Sequence, residues 1–201
     1  MVQKLVRMNF PIVLIDRYLP NIQVDAVVSD NISIGEQLTE TLIKRGHRNI
    51  AFVTAELEST SAYERYIGYK KALEKNQLEY NPSFLISCFE EKLPEHIYKL
   101  FAMKKPPTGI VFSYDQLALI AYQEIVQLGY RVPDEIEFAS LGDEEIAQTY
   151  KFPLWYFCQN SMEMGRLAFE KLIQRKKNPE KPFELIKLSP VPETPKLYLP
   201  K

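Results

Sequence analysis

Short apolar runs and longer stretches with helical spacing alternate along the whole chain, and this alternation limits the fold more than any other feature. Pro11 to Ile15 and Ala26 to Val28 read as strands, followed by a helix opening at Asp30-Asn31 with Ile34, Leu38 and Leu42 on one face and a stop at Gly46. Asn49 to Thr54 is a strand, Ala62 to Lys75 a helix, and Phe84 to Ser87 a strand. A helix around Pro94 to Met103, a strand over Thr108 to Phe112 and a helix over Asp115 to Leu128 continue the pattern. Ile136 to Leu141 is a strand, Asn160 to Gln174 a helix and Phe183 to Leu188 a late strand. Apolar strands separated by helices predict an α/β protein whose parallel sheets carry helices on both faces. Ser189 to Pro195 (SPVPETP) is the one proline-rich stretch and reads as a stiff extended crossing between subdomains.

The glycines exclude several chemistries. No two of the seven stand closer than the eleven positions separating Gly35 and Gly46. A dinucleotide fingerprint, a Walker phosphate loop and a GxSxG elbow all need closer glycine pairs. His47 and His96 are the only histidines, and neither stands in an HExxH or a cysteine-paired pattern, so neither a metal nor a cofactor is expected. His47 reads as a polar group near a helix C-terminus. The acidic run Asp143-Glu144-Glu145 keeps a carboxylate hydrolase open as an alternative, although it reads first as a solvated turn. The overall expectation is a protein that is not an enzyme.

Composition sets the setting. The 201 residues are 46% hydrophobic and 25% charged, as in ordinary globular proteins, and allow one large domain or two small ones. A net charge of −1 offers no general attraction to a phosphate backbone. Cys88 and Cys158 are far apart in a chain whose core needs no staple, so a reducing compartment is expected. No signal peptide is visible and no uncharged run of about 18 apolar residues could span a membrane, which makes the expected location cytoplasmic.

In doubly wound sheets ligands bind at the carboxyl ends of strands. The residues there are Asp16-Arg17-Tyr18, Thr54 onward through Ser59, Ser61 and Arg65, Ser113-Tyr114-Asp115, Gly142-Asp143-Glu144, and Gln159. Carboxylates, guanidinium groups, hydroxyls, an amide and aromatic faces together suit a ligand with many hydroxyls. Each alone has a structural role open to it: Asp30 and Asp115 as helix caps, Arg65 in a surface pair with Glu64 or Glu58, Gln159 bonded to backbone. Their shared position at strand ends is what marks the group.

Pro11-Ile-Val-Leu-Ile-Asp16-Arg17 resembles the "PVVLIDR" strand of transcription regulators of the lactose-repressor (LacI/GalR) type. Val28-Ser-Asp-Asn31 is similar to their "SDN" helix start, and Leu42 to Phe52 to "LIELGHRRIAF". Ser59 to Tyr69 resembles "S…R..GY", Pro107 to Ala118 "PTAIFASNDQMA", and Leu128 to Pro133 "GLRVP". The resemblance runs in order from about Pro11 to Leu172. It implies the type I periplasmic-binding-protein fold, two α/β subdomains joined by crossing strands around an effector cleft, with an incomplete amino-terminal subdomain. Residues 1–30 and 158–182 would be remnants of that subdomain, 31–157 the carboxyl-terminal effector-binding subdomain, and 183–201 a tail on the latter.

The resemblance also implies a sugar-like small-molecule effector held by Asp16, Arg65 and Gln159. Tyr114 stands where the family has the Asn of its "ND" pair. Gly142 replaces the first carboxylate of "GFDD", leaving Asp143, and the family's "PPLTTV.Q" becomes Phe152 to Gln159 with Trp155 and Tyr156 in the crossover. The expected effector-binding set is therefore Asp16, Arg65, Tyr114, Asp143, Trp155 and Gln159. The departures leave open a more apolar or ring-stacked ligand, and a cleft out of use. No basic reading helix precedes the first strand, so DNA is expected only through a headpiece that this chain lacks. A homodimer is implied, with the helix Asp115 to Leu128 at or near its interface. A solute-binding protein of a sugar transporter shares the fold and is the alternative.

Overall fold

A computed structural model describes residues 1–200 apart from Glu56 and Asp143. Two sheets organise it. The smaller contains β1 (Val13–Ile15), β2 (Asp25–Ser29) and β8 (Leu185–Leu188), all parallel, in the order β1-β2-β8. The larger runs β4-β3-β5-β6-β7-β9, from β3 (Ile50–Thr54), β4 (Leu85–Ser87), β5 (Gly109–Phe112), β6 (Glu137–Leu141), β7 (Leu154–Cys158) and β9 (Val191–Tyr198). Only β9 is antiparallel among the paired strands of this sheet.

The larger sheet is covered on both faces, as the apolar strands require. Successive side chains of a strand point to opposite faces. Ala51, Val53, Ile110, Phe112 and Phe138 therefore meet α4 (Leu93–Phe101), α5 (Asp115–Gln127) and α6 (Glu144–Tyr150). Ile50, Phe52, Val111, Ala139 and Leu141 meet α2 (Asn31–Lys44) and α3 (Thr60–Lys75) on the other side. The expected N-cap holds, since the Asp30 carboxylate accepts from the Ser33 amide at 3.2 Å. The helices α2 and α3 touch backbone to backbone at Gly35 and Gly68. A Cβ on Gly35 would lie 2.0 Å from the Arg65 carbonyl oxygen, and one on Gly68 2.1 Å from that of Ile32. No larger side chain fits at either place, and this close contact carries the start of α3 to the mouth of the sheet.

Several segments differ from the sequence expectation. Val2–Arg7 forms a short helix, α1, with no buried residue. Glu144 and Glu145, expected in a solvated turn, are the first residues of α6. The stretch expected as a crossover around Trp155 is strand β7, parallel to β6. The proline-rich connector is extended, as expected, but it is also an edge strand: β9 pairs Leu154 with Tyr198 and Cys158 with Val191. Proline is tolerated there because an edge strand has amides that need no ladder partner. The subdomain boundary expected at 182/183 is not where the sheets divide. Leu185–Leu188 pairs with β2 in the smaller sheet, so the chain joins the larger sheet only from Val191 onward. Helix α7 (Ser161–Lys177) precedes β8 and covers one face of the smaller sheet through Met164 and Ala168 against Val27.

Candidate functional site

A cavity of about 310 Å³ opens at the carboxyl ends of β3 and β5, beside the loop that follows β1. Thr54, Ser113 and Tyr114 stand at the strand ends, Ser61 and Arg65 come from α3, and Arg17 closes the side of the smaller sheet. These are residues that the strand-end rule selected. Phe89 also lines the cavity and is 61% exposed. It follows β4, so the same rule applied to that strand would have found it.

Arg65 is the central cation and is only 7% exposed. Its Nε donates to Asn31 Oδ1 at 2.8 Å and its Nη1 to the Ser113 carbonyl at 2.5 Å. Asn31 is in turn held by donating to the Ser29 carbonyl at 3.1 Å. Burial lowers the Arg65 pKa to about 10, partly offset by the charge of Asp16, so the group remains cationic at neutral pH. The hydroxyl oxygens of Thr54 and Ser113 are buried and have no hydrogen-bond partner among the described residues. Buried polar atoms are nearly always paired, so two such hydroxyls among the residues that line one cavity set this cavity apart.

Asp16 and Gln159 meet across the two sheets. Gln159 Nε2 donates to Asp16 Oδ1 at 2.5 Å. Asp16 follows β1 with φ of +69°, a conformation in which few non-glycine residues are found. Tyr114 flanks the cavity from the N-cap position of α5, and its hydroxyl donates to Glu90 at 2.9 Å. The structure thus gathers Arg65 and Tyr114 at the cavity with the Asp16–Gln159 pair beside them. Asp143 lies outside the described residues.

Trp155 does not join this group. Its indole N–H donates to Glu137 at 3.0 Å, and the Arg45 guanidinium lies 5.2 Å from its ring centroid. Glu137 opens β6 and Arg45 ends α2, so this cluster belongs to the opposite, amino-terminal end of the strands. There the ring packs beside α2 rather than at the cavity. The local reason is the pairing with Arg45 and Glu137, which sequence reading could not connect across about 20 positions or more. The Gly142 departure also has a structural cause. A Cβ at 142 would come within 2.3 to 2.4 Å of the Asp115 side chain, so a carboxylate at 142 would require Asp115 to move.

A larger cavity of about 820 Å³ lies elsewhere, between α1, the segment before β2 and the turn after α7. It is lined by Val6, Phe10, Val24 and Phe183 among others, at the amino ends of the small-sheet strands. It holds none of the residues the strand-end argument selects.

The periplasmic binding protein-like domain model matches residues 39–193. The ribose operon repressor of Haemophilus influenzae is 33% identical over 184 residues, which is 90% of this chain and 55% of that protein. The chain thus spans about half the length of the curated relatives it matches. A LacI-type regulator from Bacillus cereus superposes with a TM-score of 0.86 at 23% identity, covering 100% of this chain and 70% of that one. A LacI family regulator from Enterococcus faecium with bound ribose superposes at 0.80 and 23% identity, covering 98% of this chain and 74% of that one. Among the described residues no helix is long and apolar enough to cross a membrane. The chain belongs to the periplasmic binding protein-like domain family.

Proposed function

We propose that the chain is the effector-sensing core of a transcription regulator and that the cavity around Arg65 takes a small, hydroxyl-rich, sugar-like ligand. The observation that carries this is the meeting of a buried cation with the Thr54 and Ser113 hydroxyls, which have no partner among the described residues, at the strand ends. With Trp155 elsewhere, Tyr114 and Phe89 are the rings available to stack on a ligand face. Asp143 remains assigned to the site through its neighbour Gly142 in sequence. The site works by binding alone, with no catalytic step. Residues 1–30 and the segment from 158 through β8 form the amino-terminal part of the cleft, and 31–157 the carboxyl-terminal part. The protein works in the cytoplasm as a homodimer with α5 at or near its interface, and DNA is reached only through a headpiece on a longer chain. The repressors among its relatives favour this reading over a transporter's solute carrier.

A thermal-shift screen with sugars, sugar phosphates and purines tests it. A ligand at a hundred times its Kd stabilises the folded state by about 2.7 kcal/mol. The best ligand should lose its effect in Arg65→Ala, and an unchanged response there would place the effector elsewhere.

A further inference from the structure

The first turns of α3 carry two adjacent stripes with different neighbours. Ser61 and Arg65 face the cavity, whereas Thr60 and Glu64 face the smaller sheet and its loops. Residues four apart lie one above the other on a helix, so each stripe acts as a unit. Thr60 Oγ1 donates to the Tyr18 carbonyl at 3.1 Å. One oxygen of Glu64 accepts from the Tyr18 hydroxyl at 3.1 Å and from Lys187 Nζ at 2.9 Å. Tyr18 lies in the loop after β1, and Lys187 lies in β8. A single carboxylate, 7% exposed, therefore joins a helix of the larger sheet to two elements of the smaller one.

We infer that Glu64 is a latch that sets the spacing of the two sheets at the cavity. Tyr18 immediately follows Asp16 and Arg17, so anchoring its hydroxyl fixes the loop from which Arg17 reaches the cavity and Asp16 meets Gln159. Glu64 is thereby a positioning residue: it acts on the cavity wall through Tyr18 and does not itself line the cavity. A carboxylate with so little exposure would otherwise be costly, and its second oxygen is buried without a partner among the described residues. Burial and then the Glu64 charge raise the Tyr18 pKa, which keeps that hydroxyl protonated as a donor.

The importance of the latch for sensing rests on the effector reading above, but its existence can be tested on the free chain. Amide hydrogen exchange would be followed in 16–24 and Leu185–Leu188, with β3 and β5 as internal controls. In Glu64→Ala the first two segments should exchange on the order of tenfold faster while the controls stay within about twofold. Lys187→Met should give a smaller change in the same segments, and the double variant should add little to Glu64→Ala. Tyr18→Phe removes one hydroxyl and provides a second reading should Glu64→Ala fold poorly. Unchanged exchange in 16–24, or equal acceleration of all segments, would overturn the latch and leave a purely structural glutamate. Failure of the Arg65 ligand test with a local exchange response intact would refute the effector site and spare the latch.

Discussion

The two sheets are held together by different physics. In the larger one, strands β3, β5 and β6 are buried along their full length and apolar residues meet helices on both faces. In the smaller one, β2 is buried along its length as well, but among the described residues its apolar cluster has three buried members, Val27, Met164 and Ala168. What it lacks in apolar contact is offset by a polar clasp. Arg175, 8% exposed, donates from Nε to Asp25 Oδ2 at 2.7 Å and also to the carbonyls of Pro179, Lys181 and Pro182. Its guanidinium lies 4.3 Å from the Phe183 ring centroid. Asp25 is fully buried in β2 and also accepts the Glu184 amide at 2.9 Å. A lobe with a large core tolerates the loss of any one polar contact; a lobe with a small core concentrates its cohesion in a few directional bonds.

The largest effect that would test this contrast is in the larger lobe. Phe112 is wholly buried and packs edge to face with Phe138 at 5.1 Å. Phe112→Ala should destabilise by about 4 kcal/mol, read as a lower urea midpoint for the whole cooperative transition. Next comes the clasp. Arg175→Leu leaves the Asp25 carboxylate buried without its cation, a change of about 3 kcal/mol. The loss should appear first in the smaller sheet, as faster amide exchange in β2 and β8 with β5 still protected. Global loss with no local opening would mean that the two sheets unfold as one and the contrast is only descriptive.

The smallest effect concerns the cluster at the far end of the larger sheet. Burial would raise the Glu137 pKa, but hydrogen bonds from Arg45 and Trp155 and the Arg45 charge outweigh it, and the net shift is downward. A carboxylate with a depressed folded pKa contributes stability above its unfolded pKa, and that contribution is lost as pH falls through the folded value. Acidification below the ordinary carboxylate range should therefore destabilise the protein, and less so in Glu137→Gln. Trp155→Phe removes one hydrogen bond, costs about 1 kcal/mol and should leave the response to ligand unchanged. A lost ligand response in that variant would return Trp155 to the site.

Much of the fold was legible because strands buried on both faces must be apolar throughout, and helices stop where capping and glycine permit. Edge strand β9 was not, because its prolines and charges describe any extended segment, and only pairing with β7 makes it a strand. The same division holds at the site. Arg65, Tyr114, Asp16 and Gln159 could be selected because strand ends converge in this class of sheet. Trp155 could not be placed, because its position depends on Arg45 and Glu137, which are remote in sequence. The partners of Glu64 were equally hidden, since Tyr18 and Lys187 meet it from opposite ends of the chain.

By itself the sequence determined most of the strands and helices, the absence of glycine-rich phosphate loops and the polar character of the strand ends. These follow from local chemistry: hydrophobic periodicity, capping residues and the spacing of glycines. The tertiary structure decided which strand ends share a cavity, that Asp115 fills the space beside Gly142, and that Arg175 and Glu64 hold the smaller sheet in place. Such contacts join residues remote in sequence, 150 positions apart for Asp25 and Arg175, and no local pattern records them.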